Sequence, residues 1–217
     1  MNLTQKIRIV LVDDHKLLRD GIRNIIEQRS DMDIIGEASD GRQAIKIALK
    51  LLPDVIVMDL AMPGMNGIEA AKQIHKHKPN IKIISLSMHS GKQFIQGMFK
   101  AGAEAYLLKD GDADELITAI TKVMQNKRYL SKDINQNFLS QLNKGEPLDQ
   151  TQLTSREKEV LQLIAEGKSS KKIAEILFLS PKTIDVHRNN IMKKTELQSV
   201  PELTKYAIQR GITSLEI

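Results

Sequence analysis

Two adjacent carboxylates, Asp13 and Asp14, end the apolar run from Ile7 to Val12, and a third, Asp59, ends the run "DVIVMD". Buried charge is costly without a partner, so the pair either marks a strand's exit into solvent or waits for a cation. Three carboxylates brought to one place repel one another, and at neutral pH one must hold a proton or a cation must sit among them. A hard, oxygen-only site with few ligands suits Mg²⁺, which keeps several waters and commonly bridges to phosphate oxygens. Ser87 closes the run "KIISLS" and Lys109 follows "AYLL", supplying the hydroxyl donor and the ammonium that a transferring phosphoryl group needs around it. In such a site Asp59 is the natural nucleophile, with Asp13 and Asp14 left to hold metal. Aspartate at a strand end is common turn chemistry, and Ser87 or Lys109 alone carries little weight. Five residues spread over four strand ends carry much more. His15, His75, His77 and His89 read as solvated or helix-surface groups, and Met58, Met62, Met65 and Met88 as core or loop packing.

The elements that must position these residues are short β-branched runs, "IRIVLV", "DIIGEAS", "DVIVMD", "KIISLS" and "AYLLK", alternating with amphipathic stretches that begin near Lys16, Gly41, Gly67, Gly91 and Asp112. That alternation predicts βα units around a parallel sheet. In open sheets of this kind ligands gather outside the carboxyl ends of the strands, which is where the acids, Ser87 and Lys109 fall.

After residue 125 the pattern changes. Residues 126–149 are polar and irregular, with Gly145 and Pro147 and no sustained periodicity, and they read as a linker. From residue 150 to 217 every segment has helical spacing. Thr154 with Glu157 makes a capping box and Gly167 a stop; Ser180 caps a helix with Pro181 at its first position; Ser199 with Glu202 makes a second box and Gly211 a second stop. Four short helices make a small all-α module.

The chain has 217 residues, enough for two domains, and 41% of them are hydrophobic. It has no cysteine, which excludes disulfides, thiol catalysis and thiolate metal sites. The N-terminal residues do not resemble a signal peptide and no apolar stretch is long enough to span a bilayer, so the expectation is a cytoplasmic protein with no membrane partner. The formal net charge is +5. From Lys168 to Lys194 seven Lys or Arg face only Glu175 and Asp185, a local excess equal to that of the whole chain. The basic bias is therefore concentrated on a helix pair joined by a short turn, the layout of a helix-turn-helix. On its second helix Ile184, His187 and Ile191 fall at core spacing. Lys182, Asp185, Val186, Asn189 and Lys193 fall on the opposite side, cations for phosphates beside short groups able to read base edges.

The segments "LVDDH", "VIVMDLAMPGMNGIEA", "ISLSMHS" and "AGAEAYLLKD" together resemble the receiver domain of bacterial response regulators, over residues 1–125. The resemblance implies a flavodoxin-like sheet of five strands in the order 2-1-3-4-5. It also implies a phosphoryl group accepted by Asp59 from a sensor histidine kinase, and Mg²⁺ held by Asp13, Asp14, Asp59 and the backbone carbonyl of Ala61. Ser87 and Lys109 would engage the phosphoryl oxygens, and Tyr106 would be the aromatic switch. Many receivers have proline after the lysine, where this chain has Asp110. The text "LTSREKEVLQLIAEGKSSKKIAEILFLSPKTIDVHRNNIMKK" resembles the LuxR-type DNA-binding domain, over residues 150–217. It implies a recognition helix from about Pro181 to Lys194, with Lys182 and Thr183 on phosphates and Asp185, Val186 and Asn189 facing bases. Where relatives place a Leu-Gly pair, this chain has Thr195 and Glu196, which predicts a locally different turn or a less stable domain.

Together the halves resemble a two-component regulator of the NarL/FixJ family. The function implied is phosphorylation-dependent binding of double-stranded promoter DNA, as a homodimer when active. The only catalysis implied is Mg²⁺-dependent self-phosphorylation and dephosphorylation at Asp59. Val200, Leu203, Tyr206 and Ala207 form an apolar stripe that is a candidate dimer face. A Mg²⁺-dependent phosphatase is the main rival, but Leu60 and Ala61 follow Asp59 where such enzymes usually carry a second acid. A nucleotide- or flavin-binding domain lacks its glycine-rich loop, since "DDHKLL" follows the first strand. A receiver whose helical module binds protein or RNA is the third alternative.

Overall fold

The computed structural model describes residues 6–134 and 153–213, which belong to two compact units. The first unit runs β1 (Ile7–Val12), α1 (Lys16–Glu27), β2 (Met32–Ala38), α2 (Gly41–Leu51), β3 (Val55–Asp59), α3 (Gly67–His77), β4 (Lys82–Ser87), α4 (Lys92–Lys100), β5 (Ala105–Leu108), α5 (Ala113–Met124) and β6 (Tyr129–Leu130). Every strand pairing is parallel and the order is β2-β1-β3-β4-β5-β6. The expected order of the first five strands holds, and the sheet has six strands where five were expected. The sixth comes from text read as linker. Two residues carry no periodicity of their own, and tertiary bonds fix them. The Glu115 carboxylate on α5 accepts from the Tyr129 hydroxyl at 2.9 Å, the Ser131 hydroxyl at 2.7 Å and the Lys132 amide at 2.9 Å.

Parallel strands covered on both faces are apolar on both, and their two-residue period divides the core in two. Val10, Val12, Ile56, Met58, Ile83 and Tyr106 pack with Ala44, Ala70, Ile74, Phe94 and Met98, residues of α2, α3 and α4. Ile9, Leu11, Val57, Ile84 and Leu107 pack with Ile22, Ile26, Leu116 and Ile120 of α1 and α5. Each fully buried side chain of this size stabilises the fold by roughly 1.5–3 kcal/mol, so the helices are held firmly against the sheet that carries the rim residues. One close approach is specific to the site. A Cβ on Gly67 would stand 2.1 Å from the main-chain oxygen of Asp59, so the first residue of α3 has to be glycine for the helix to press against the end of β3.

Among the described residues the second unit has four helices, α6 (Ser155–Ala165), α7 (Ser170–Leu177), α8 (Pro181–Thr195) and α9 (Val200–Gln209). Both capping boxes form, Thr154 with Glu157 and Ser199 with Glu202, and Pro181 opens α8 behind its Ser180 cap. Val160, Leu161, Leu163, Ile173, Leu177, Ile184, Ile191, Leu203 and Ala207 build its core. This corrects the reading of α9 as a dimer stripe. Leu203 and Ala207 are fully buried inside their own unit and Tyr206 packs against the same core. A stripe of helical period shows that a face is covered, not by what. Glu157 ties α6 to α8 through Lys194 at 2.7 Å. Glu196 ends α8 in the left-handed region, φ 59° and ψ 25°, with its amide on the Met192 carbonyl. The turn is thus the one glycine would make, with a glutamate held in it. Among the described residues no helix is long and apolar enough to cross a membrane.

Candidate functional site

The carboxyl ends of β1, β3, β4 and β5 bring the expected residues to one rim. Asp13 and Asp59 are buried, at 3% and 2% exposure, while Asp14 is exposed. The Lys109 ammonium lies 2.8 Å from Asp13 Oδ2 and 2.9 Å from Asp59 Oδ2, joining the ends of β1, β3 and β5. Neither of those oxygens receives a hydrogen bond of good geometry, so the contact is an ion pair with capacity for a further positive partner. Ligand atoms of Asp13, Asp14, His15 and Asp59 all fall within 4.8 Å of one another. Hard carboxylate oxygens at this spacing fit a small divalent cation such as Mg²⁺. The Ala61 amide donates to Asp59 Oδ1 at 3.3 Å, which places Ala61 against that carboxylate. The Lys109–Asp110 peptide is trans.

Burial is the main reason the Asp59 carboxyl is pushed up to about 6; the Lys109 ammonium opposes that shift and the Asp13 charge adds to it. Asp59 is therefore mostly ionised at neutral pH. Burial alone would lower the Lys109 ammonium, but the Asp59 and Asp13 carboxylates outweigh it and hold it above its ordinary value. Lys109 thus stays cationic.

Ser87 is fully buried and its Oγ accepts from the His89 amide at 3.1 Å. Tyr106 is also fully buried. Its hydroxyl donates to the His89 carbonyl at 2.7 Å, so the aromatic ring points inward and grips the β4–α4 loop. Burial raises the phenol's pKa and the Asp59 charge adds to the effect, while the Ser87 hydroxyl works against it. Phenol, serine and aspartate are therefore electrostatic neighbours. His89 is half-buried, its ring stacked on Phe94 with centroids 4.4 Å apart, and Met88 is 56% exposed; neither fits the earlier reading of surface histidine and packed methionine.

Sequence reasoning passed over two residues here. Arg19 on α1 donates to the Asp13 main-chain oxygen and, at 3.1 Å, to Glu37 on β2, clamping the acidic turn to the neighbouring strand. Glu37 is held below the usual carboxylate range, first by Arg23 and also by Arg19. In text Arg19 is one cation on a helix surface, and only the fold aims it. His15 is the other, with its ring between Asp13 and Asp14.

On the second unit Lys182, Asp185, Val186, Asn189 and Lys193 are all exposed on α8, opposite buried Ile184 and Ile191. Val186 is 52% exposed. Thr183 is half-buried, its Oγ1 2.8 Å from the capping Ser180 hydroxyl. Asp185 Oδ1 accepts from the Ser170 hydroxyl at 3.1 Å, fastening α7 to α8. His187 is half-buried, in line with the packed position expected.

Comparison with known proteins agrees with both halves. Residues 9–121 match the response regulator receiver domain and residues 151–207 match the luxR family of bacterial regulatory proteins. The chain is 41% identical to the transcriptional regulatory protein LiaR of Bacillus subtilis over 203 residues, covering 93% of this chain and 96% of LiaR. It is 37% identical to the response regulator UvrY of Escherichia coli, covering 97% of each. Among solved structures it is similar to RcsB of Salmonella enterica serovar Typhimurium bound to a promoter in the presence of phosphomimetic BeF3⁻. That likeness has a TM-score of 0.60 at 28% identity, over 96% of this chain and 100% of that one. Fold, rim and helical module therefore lead to one assignment: the chain belongs to the two-component response regulators of the NarL/FixJ family, DNA-binding transcription regulators built from a receiver and a luxR-type helix-turn-helix.

Proposed function

We propose that Asp59 accepts a phosphoryl group from a sensor histidine kinase and that the acyl phosphate switches promoter binding by the helical unit. The observation that carries this is the Lys109 ammonium held between buried Asp13 and Asp59. An Asp59 oxygen attacks phosphorus, the bond from phosphorus to the donor imidazole breaks, and the imidazole leaves with the electron pair; water later cleaves the acyl phosphate to restore the carboxylate and release inorganic phosphate. A divalent cation such as Mg²⁺, held by Asp13, Asp14, Asp59 and the Ala61 carbonyl, would neutralise charge on the transferring group. Lys109 follows the new phosphoryl oxygens, and the Ser87 hydroxyl donates to one of them. Phosphorylation adds about −1.5 to −2 charge beside the loop that Tyr106 holds. A full switch requires that phosphate favour one arrangement by about 5.5 kcal/mol.

For the output, Lys182, Thr183 and Lys193 contact phosphates, and Asp185, Val186 and Asn189 face base edges in the major groove. Active protein binds paired half-sites as a homodimer. With Leu203 and Ala207 internal, the dimer face on α9 is the outer one, a shallow groove lined by Val200, Pro201, Thr204 and Ile208. Support for a dimer on DNA comes from RcsB, whose solved structures include two dimers bound to two parallel DNAs.

The test is incubation of purified protein with Mg²⁺ and acetyl phosphate. A hydroxylamine-labile adduct at Asp59, absent from Asp59→Asn, is the expected result, together with tighter promoter binding. No label at Asp59 overturns the reading.

A further inference from the structure

Asp185 is the single acid among the fifteen residues of α8, a helix it shares with Lys182, Arg188, Lys193 and Lys194. It is exposed, yet none of these cations neutralises it. Among the described residues its side chain has one partner, the Ser170 hydroxyl fifteen positions earlier, which donates to Oδ1 at 3.1 Å. Ser170 is the first residue of α7, and the capping of that helix is done by Ser169, whose side chain accepts from the Lys172 amide. The Ser170 hydroxyl is therefore spared for the contact between helices. A carboxylate turns broadly about its last torsion, and a bond from a donor on a second helix restricts that turning. Oδ2 is left to accept from a group outside the protein.

The chemistry of the major groove narrows what that group is. An acid on a face that meets phosphates is repelled unless a donor answers it, and base edges there offer donors only at cytosine N4 and adenine N6. Guanine O6 and N7 and thymine O4 are acceptors, so a carboxylate placed against them is desolvated and unpaired. Adenine sets its N7 acceptor beside N6, against the remaining lone pairs of the acid, whereas cytosine presents N4 with no acceptor next to it. A carboxylate with one oxygen engaged and one open thus prefers cytosine, and it discriminates as much by rejecting the other bases as by binding this one.

We propose that Ser170 is a positioning residue that aims Asp185 at the amino group of a cytosine, so that each half-site carries cytosine at the Asp185 contact. The inference rests on the reading of α8 as the helix that enters the major groove.

The experiment selects bound sequences from a randomised duplex pool with the full chain, with and without acetyl phosphate and Mg²⁺. Wild type should return a site with one cytosine position that depends on Asp185, preferred over other bases on the order of tenfold. Asp185→Asn should move that position toward adenine, which an amide contacts through N6 and N7. Ser170→Ala should cut the cytosine preference several-fold while other positions and the salt dependence of binding stay as in wild type, and Ser170→Thr, which keeps the hydroxyl, should restore it. A lower melting transition in Ser170→Ala with the cytosine preference intact would make the bond a staple between helices and overturn the inference. A site whose every position is unchanged in Asp185→Asn, or whose Asp185-dependent position is not cytosine, also overturns it. Selection of no sequence by wild type in either condition overturns the DNA-reading role of α8 itself, and this inference with it.

Discussion

Tyr106 and His89 are joined by a 2.7 Å hydrogen bond from the phenol of one to the main-chain oxygen of the other. A buried ring on β5 thereby restrains the loop that leaves β4 just after Ser87. Tyr106→Phe keeps the packed ring and removes only this donor, at a cost of about 1 kcal/mol. The expected outcome is faster amide hydrogen exchange in residues 88–91 and a smaller gain in DNA affinity on treatment with acetyl phosphate. Unchanged exchange there would show that the bond does not hold the loop.

Asp59 carries a pH signature. Its carboxyl is pushed from 3.8 to about 6 by burial, with the Asp13 charge adding to the shift and Lys109 opposing it. The folded state thus holds this proton more tightly than the unfolded one, and by linkage the group's contribution turns unfavourable as pH rises through that window. The penalty is absent below about pH 4 and complete above about pH 6. At full strength a shift of about two units corresponds to about 3 kcal/mol. In protein kept free of divalent ions, Asp59→Asn should raise the melting temperature at pH 7 and leave it unchanged at pH 4. Equal melting of the two proteins across this range, followed by calorimetry with chelator present, would contradict the shift.

Glu196 sits in the left-handed region at the end of α8, a conformation that costs a residue with a side chain about 1 kcal/mol or more. Glu196→Gly relieves it without touching the outer face of α8. The variant should raise the melting transition of the helical unit and leave DNA sequence preference unchanged. A lower or unmoved transition would mean that the glutamate gains compensating interactions.

Contacts to DNA should separate by salt. Lys182→Ala weakens binding to all sequences alike and reduces the slope of log affinity against log salt by about 1. Asn189→Ala should instead lose about 1–3 kcal/mol of discrimination at a single base position, with the slope intact. Titrations at several salt concentrations against the promoter and a scrambled duplex distinguish the two. An Asn189→Ala effect that is uniform over sequences would move that residue from base reading to backbone contact.

The βα alternation was legible because strands and helices write different periods into the text, and four strand ends carry the rim residues in plain view. Both capping boxes were legible for a related reason: Thr154 with Glu157 and Ser199 with Glu202 satisfy backbone donors within one turn, so local sequence suffices. What escaped depends on tertiary placement. Tyr129 and Leu130 become a strand because Glu115, fourteen positions before Tyr129, receives their neighbourhood. Leu203 and Ala207 present a periodic apolar face whether the covering surface is their own core or a second chain. His15 and Arg19 look like ordinary polar residues of a helix start until the turn between β1 and α1 directs them at the carboxylates.

The grip of Glu115 on Tyr129, Ser131 and Lys132 has a practical bearing on dissection of this regulator. A receiver excised after Met124 would lose β6 and leave β5 as an unguarded edge, with main-chain groups open to pairing with another copy. It would also strand a carboxylate whose donors had been cut away. Oligomers seen in such a fragment would be artefacts of the scissors, whereas a cut beyond Ile134 keeps the margin of the sheet sealed.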